Sequence, residues 1–207
     1  ADIVERTHAT LLVIADGFLG RTQIADLRPL APGAPILDLD DLAEMTADTT
    51  EDDITAVEAA ADAVTPDDIA DILFSSGTTG RPKGVLSTHR QSVASGASWS
   101  AVGEVSAADR YLVISPFFHS YGYKIGVLVG LIRGCTIYPV ATFDPDAALG
   151  LIESERITMV PGAPAIFLGL LESPAFATTD TSSLRFANTG AANVPVALVE
   201  RLQRELS

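Results

Sequence analysis

The sequence predicts an α/β fold, a largely parallel β-sheet flanked by helices. Three observations carry that expectation. From residue 69 onward, short apolar runs of four to six residues alternate with longer helix-compatible stretches. Such alternation implies βαβ crossovers and parallel neighbours. Three of those runs feed polar or glycine-containing turns near Ser75, Pro116 and Thr189, and parallel sheets bind ligands outside the carboxyl ends of their strands. Finally, 47% of the 207 residues are hydrophobic, ample for a buried core in one large domain or two small ones.

Taken in order, Thr10 to Ala15 reads as a buried strand, Asp16-Gly17 as a turn, Thr22 to Leu30 as helical and Pro35 to Leu39 as a strand. Residues 43–68 turn acidic and Ala/Thr/Asp-rich, a surface segment with a weak helix from Ile54 to Val64; acidic runs are usually solvated faces. Thr65-Pro66-Asp67-Asp68 has a capping Thr, a Pro at the first helical position and acids behind it, which predicts one helical turn. Ile69 to Phe74 is a short buried strand feeding the run Ser75 to Gly84, and Val85-Leu86-Ser87 is short and extended. Thr88 and Gln91 form a capping box, so a helix should run from His89 to Val102, with His89 and Arg90 on its surface. Tyr111 to Ile114 is a strand, Tyr123 to Ile132 an apolar helix, and Thr136 to Val140 a strand. Asp144-Pro145 opens a helix with Ala148, Leu149 and Ile152 on one face. Ile157 to Val160 is a strand, Ala163 to Leu171 a helix, Leu184 to Ala187 a strand and Pro195 to Leu206 a closing helix.

The run Ser75-Ser76-Gly77-Thr78-Thr79-Gly80-Arg81-Pro82-Lys83-Gly84 concentrates phosphate-binding chemistry, with four hydroxyls, three glycines and one lysine in ten residues. Glycines allow a tight turn and close ligand approach. Successive amides form a concave nest for an anion, and lysine adds a flexible positive charge. The Walker A order fails, because Pro82 precedes Lys83 and Gly84 follows it. The dinucleotide pattern fails too, since Gly77 and Gly80 are separated by two residues. The bland alternative is an ordinary Gly/Ser/Thr turn between strands.

Pro116-Phe117-Phe118-His119-Ser120-Tyr121-Gly122 offers an imidazole among aromatic rings at a strand end. Such a histidine can donate to a carboxylate oxygen or gate a pocket; equally, it can cap a carbonyl in a packed aromatic turn. Thr189-Gly190-Ala191-Ala192 by itself reads as a tight strand–helix junction.

A net charge of −14 argues against nucleic acid or an anionic membrane surface as a main partner. The single cysteine, Cys135, cannot form an internal disulfide, which suits a reducing cytosol, and its apolar neighbours make it a small buried hydrophobe. No secretory signal is visible, and the apolar stretch Ile125 to Ile132 falls far short of the ~20 residues of a membrane helix.

Together, the Ser75–Gly84 run, the Pro116-x-x-His119-x-x-Gly122 segment and Thr189 to Pro195 resemble the motifs of the adenylate-forming enzymes. That superfamily holds acyl-CoA synthetases, adenylation domains of peptide synthetases and beetle luciferases. The resemblance spans the chain, most clearly from Pro66 to Leu206. His89-Arg90-Gln91, Phe117-Phe118-His119, Tyr123-Lys124, Thr142 to Pro145 and Asp16 to Gly20 are similar to actinobacterial fatty-acid-type ligases acting on steroid-degradation acids.

The resemblance implies the layered αβαβα architecture of acyl-CoA synthetases, with residues 1–207 a partial N-terminal adenylation domain and the C-terminal catalytic domain absent. It implies a cytoplasmic enzyme that uses ATP, a small-molecule carboxylic acid and CoA, without an integral membrane segment; a homodimer is compatible with it. Ser75, Ser76, Gly77, Thr78, Thr79, Gly80 and Lys83 would hold the β- and γ-phosphates. His119 would position the carboxylate on the acyl side, and Gly190, Ala191 and Ala192 would flank adenine. No metal ligand is assigned within the chain: the glutamate that helps bind Mg2+ is expected beyond Ser207, with the ribose-binding aspartate, the hinge and the catalytic lysine. The 207 residues alone are expected to give little turnover. A carrier-protein-loading domain and a non-catalytic nucleotide-binding module remain alternatives, while the Pro82-Lys83-Gly84 order argues against a P-loop ATPase or kinase.

Overall fold

The chain folds as two compact units, residues 1–64 and 65–207. The computed structural model describes residues 2–75, 82–190 and 192–206. In the first unit, helix α1 (Asp2–Thr7) precedes a parallel pair of strands, β1 (Leu12–Ile14) and β2 (Ile36–Asp38), with helix α2 (Gln23–Leu27) in the crossover. Asp16 organises that crossover. Its carboxylate accepts the Ile24 amide at 2.9 Å, and its own amide donates to Asp38 Oδ1 at 3.4 Å. A short helix, α3 (Leu42–Met45), leads to α4 (Glu51–Ala63), which starts ahead of the expected Ile54. The cause is local: Thr50 and Asp53 cap one another reciprocally, and the acids of the first turn suit the positive helix end.

In the second unit, β3 (Ile69–Ser75) and β4 (Lys83–Thr88) pair antiparallel as a separate ribbon. Helix α5 (His89–Val102) then begins where the capping box predicts, with the Gln91 amide on Thr88 Oγ1 at 3.3 Å and the Thr88 amide on Gln91 Oε1 at 3.0 Å. Four strands follow, β5 (Arg110–Val113), β6 (Thr136–Pro139), β7 (Met159–Gly162) and β8 (Phe186–Thr189), all parallel in the order β6-β5-β7-β8. Helices α6 (Leu128–Arg133), α7 (Pro145–Ser154), α8 (Pro164–Glu172) and α9 (Val196–Glu205) complete the crossovers and the end of the chain.

Period-two alternation along β5 divides the core. Leu112 joins Leu149, Ile152, Phe167, Leu170 and Leu198 of α7, α8 and α9 on one face. Tyr111 and Val113 join Val129 and Cys135 on the other, against Trp99 of α5. The central strands are therefore buried on both faces, as a parallel sheet requires. Trp99 stacks on Tyr111 with centroids 6.2 Å apart and meets Phe186 edge-on at 5.5 Å. Burial pushes the Cys135 thiol up, in keeping with a packed hydrophobe. Among the described residues, no helix is long and apolar enough to cross a membrane.

Four expectations are corrected. The Ser75 run does not leave a strand of the parallel sheet; it joins the two strands of the antiparallel ribbon. A two-sided apolar run looks the same in either setting, so composition could not separate them. Thr65–Asp68 is a turn, because Asp68 Oδ2 accepts both the Thr65 amide at 2.7 Å and its hydroxyl at 3.0 Å. The strands β7 and β8 begin two residues later than expected, since Ile157 and Leu184 are core contacts that precede the ladder. The apolar helix expected from Tyr123 instead starts as a π-helical turn, Tyr121–Val127, and becomes α6 only at Leu128.

Glycine makes that turn possible by close approach. A Cβ on Gly122 would lie 2.2 Å from the Pro116 carbonyl oxygen and 2.3 Å from that of Ser115. One on Gly126 would lie 2.7 Å from Val113 Cγ1. The turn thus rests its backbone against the end of β5 and the residues that follow it.

The opposite end of the sheet is held by a polar clamp. Asp109, Thr158 and Arg185 each stand just before a strand, β5, β7 and β8. Asp109 is 3% exposed and accepts from Arg185 Nε at 2.7 Å, Arg185 Nη2 at 2.6 Å, Thr158 Oγ1 at 2.7 Å and the Ser106 amide at 2.8 Å. Burial alone would raise its pKa, but the donors from Arg185, Ser106 and Thr158 outweigh it and hold the carboxyl at about 2.

Two outcomes are expected. The Asp109 pKa in the fold lies below the ~3.9 of an unfolded aspartate, so its stabilisation is complete above that value and is lost as pH falls towards about 2. Acid unfolding followed by circular dichroism should show this limb, and Asp109→Asn should flatten it while lowering neutral stability. Gly122→Ala should cost about 3 kcal/mol or more by forcing backbone apart, read as a fall in the urea midpoint.

Candidate functional site

The ribbon register decides which side chains meet. Asp71 pairs with Ser87, Leu73 with Val85 and Ser75 with Lys83. Directly opposed residues project to one face, and alternate residues share it. One ribbon face therefore carries Asp71, Leu73 and Ser75 on β3, and Lys83, Val85 and Ser87 on β4. Ser75 and Lys83, both exposed, stand opposite one another where the ribbon opens into the Ser/Thr/Gly run. Ser76, Gly77, Thr78, Thr79 and Gly80 lie outside the described residues.

A cleft of about 210 Å³ is lined by Leu73, Ser75, Val85 and Ser87 of that face and by Phe118, His119, Ser120 and Lys124. A second cavity of about 190 Å³ lies between Pro116, His119, Tyr121, Gly162, Ala163 and Gly190. His119 belongs to both. Of the residues singled out in the sequence, the structure brings Ser75 to His119 on one side and Gly190 to His119 on the other. Lys83 shares the Ser75 face, Ala192 is exposed beyond Gly190, and Ala191 lies outside the described residues.

His119 is not sandwiched between aromatic rings as expected: it is exposed, and Phe118 beside it is 83% exposed. Its geometry is set by backbone instead. The His119 amide donates to the Pro116 carbonyl at 3.0 Å, and the Tyr121 amide donates to His119 Nδ1 at 3.1 Å. With Nδ1 accepting, Nε2 is the ring nitrogen left to donate to a ligand oxygen. Among the described residues, a Cβ on Gly190 would meet nothing within 4 Å, and Gly190 lines the second cavity.

Residues without a role assigned from the sequence complete the site. The Tyr121 hydroxyl donates to Asn188 Oδ1, tying the His119 segment to the end of β8, and burial pushes its phenol up to about 12. Lys124 reaches the other way: Nζ donates to Ser87 Oγ at 2.6 Å and lies 3.2 Å from Asp71 Oδ1. Ser92 Oγ of α5 donates to Asp71 Oδ2 at 2.8 Å. The Lys124 and Asp71 side chains are 13% and 10% exposed. The sequence does hold a signal for this pair. A lone lysine in an apolar helix and a lone aspartate in an apolar strand are charges that burial obliges to pair. Among the described residues, no group of three His, Cys, Asp or Glu side chains could hold a metal.

Comparison with known proteins gives consistent results. All of residues 1–207 match the family of AMP-binding enzymes. The chain is 47% identical, over 100% of its length, to a 3-(7a-methyl-1,5-dioxo-octahydro-1H-inden-4-yl)propanoyl:CoA ligase of Rhodococcus jostii (strain RHA1), covering 43% of that protein. It is 50% identical, over 99% of its length, to the ligase of the same name from Mycobacterium tuberculosis, covering 42%. It thus spans about two fifths of the length of these relatives. Among solved structures, it superposes on the inhibitor-bound N-terminal domain of FACL13 from Mycobacterium tuberculosis with a TM-score of 0.80 and 28% identity, over 98% of this chain and 50% of that one.

Tyr121→Phe removes one donor and strands Asn188 Oδ1. It should lower stability by about 1 kcal/mol, measured by denaturant titration.

Proposed function

The chain belongs to the AMP-binding enzyme family, and on that premise we propose that the protein carrying it is an ATP-dependent acid–CoA ligase. A carboxylate oxygen attacks the α-phosphorus of ATP and pyrophosphate leaves; the thiol of CoA then attacks the acyl carbon of the acyl-adenylate and releases AMP. The observation that carries this reading is His119 standing between two cavities, one bounded by the ribbon bearing Ser75 and Lys83, the other by Gly190.

In this scheme the run from Ser75 through Ser76, Gly77, Thr78, Thr79 and Gly80 to Lys83 holds the β- and γ-phosphates, with lysine offsetting charge on the departing pyrophosphate. His119 donates from Nε2 to the acid's carboxylate and keeps it oriented for attack. Gly190, Ala191 and Ala192 leave room for the adenine ring and the acyl group. Mg2+ would arrive with the nucleotide phosphates, and its protein ligand is sought outside the described residues. The relatives' names support a compact bicyclic keto-acid, of the kind formed in steroid breakdown, as the substrate. They also support CoA rather than a carrier protein as the acceptor. A cytoplasmic setting fits these soluble co-substrates.

The test is ATP–pyrophosphate exchange by the complete protein with 3-(7a-methyl-1,5-dioxo-octahydro-1H-inden-4-yl)propanoate, followed by acyl transfer to CoA and to a carrier protein. Acid-dependent exchange and a CoA thioester are expected. ATP binding without acid-dependent pyrophosphate release would identify a non-catalytic nucleotide module instead. His119→Ala should lower kcat/KM for the acid about 100-fold, the scale of a lost oriented donor. Lys83→Ala should raise KM for ATP about tenfold, roughly the loss of one charged hydrogen bond.

A further inference from the structure

We propose that Asp71 and Lys124 act as a positioning pair that sets the spacing between the ribbon end bearing Ser75 and Lys83 and His119 in the acid-activating reaction; this rests on the function proposed above. Asp71 lies four residues before Ser75 on the same strand and the same ribbon face. Lys124 lies five residues after His119, inside the π-helical turn. The pair therefore links the element that leads into the phosphate loop to the element that carries the histidine, directly beside the cleft that Ser75 and His119 share.

Stability alone is a poor account of this pair. Two charges 13% and 10% exposed lose most of their hydration, and a well-packed apolar pair is often as stable or more so. Geometry is the better account. Lys124 Nζ is held by Ser87 Oγ at 2.6 Å, and Asp71 Oδ2 by Ser92 Oγ at 2.8 Å, so both ends are fixed before they meet at 3.2 Å. Asp71 Oδ1 is buried and makes no aligned hydrogen bond among the described residues, so its contact with Nζ is coulombic and depends on distance. Shortening or lengthening this strut moves the ribbon relative to the turn. Because the carboxylate and the α-phosphorus must meet in line, a misplacement of ~1 Å can lower the rate about 100-fold.

A positioning role shows in kcat, while a purely structural role shows in melting temperature and a binding role in KM. In the complete protein, ATP–pyrophosphate exchange with the bicyclic keto-propanoate is measured for D71E, for D71N/K124M and for wild type. D71E keeps both charges but lengthens the strut by one methylene; D71N/K124M removes both charges together, leaving neither stranded. Expected is a fall in kcat of about tenfold or more in both, with KM for ATP within about threefold and little change in melting temperature, the pattern of an interaction realised in the transition state. K124R should retain more activity than K124M. Should the neutral pair fail to fold, D71E carries the test. Wild-type kcat in folded D71E, or a loss confined to KM for ATP, would overturn the positioning role while leaving the ligase intact. Absence of exchange in the wild type would overturn the ligase reading, and this proposal with it.

Discussion

The π-helical turn at Tyr121–Val127 is the constraint on which the site depends. Its backbone can seat on the end of β5 only because Gly122 and Gly126 have no side chain to meet the Pro116 and Ser115 carbonyls and Val113. Seated there, it sends two arms in different directions. Tyr121 reaches the end of β8 through Asn188, and Lys124 reaches the ribbon through Ser87 and Asp71. His119, whose imidazole accepts the first amide of the turn, is placed by the same backbone. A regular α-helix would change the rise and angular offset between Tyr121 and Lys124, and single π-turns are frequent at functional sites.

The two ends of the parallel sheet divide their labour. Before the strands, Asp109 gathers donors from Arg185, Thr158 and Ser106 into a buried clamp that fixes β5, β7 and β8 relative to one another. After the strands, backbone turns around Pro116, Gly162 and Gly190 leave open space lined by few polar groups. Rigidity is concentrated at one end and vacancy at the other, the arrangement by which parallel sheets support ligand sites. The chain's net charge of −14 does not oppose the proposed nucleotide site, because Lys83 stands exposed at the open end of the ribbon, opposite Ser75, while Lys124 is already paired with Asp71.

Legibility in the sequence follows the range of the interaction that decides each feature. The start of helix α5 is fixed by its capping box, which acts over three residues. Helix α7 is placed by Asp144 and Pro145, whose side-chain cap and fixed φ are equally local. Strand edges shift by two residues at β7 and β8, since Ile157 and Leu184 are buried without being in the ladder. The antiparallel ribbon is not legible, because pairing partners are chosen by contacts that composition does not encode.

By itself, the sequence determined the α/β class, the family motifs and the residue types from which a phosphate and carboxylate site could be assembled. Those follow from local hydrogen bonding, from period-two burial and from the chemistry of hydroxyls, glycines, lysine and histidine close together in the chain. Only the tertiary structure decided that Ser75 and Gly190 meet His119 from opposite sides, and that Asp71 finds Lys124. Those pairings lie far apart along the chain. They are settled by where the ribbon and the turn come to rest against the rest of the unit, and no short-range rule of hydrogen bonding or periodicity carries that information.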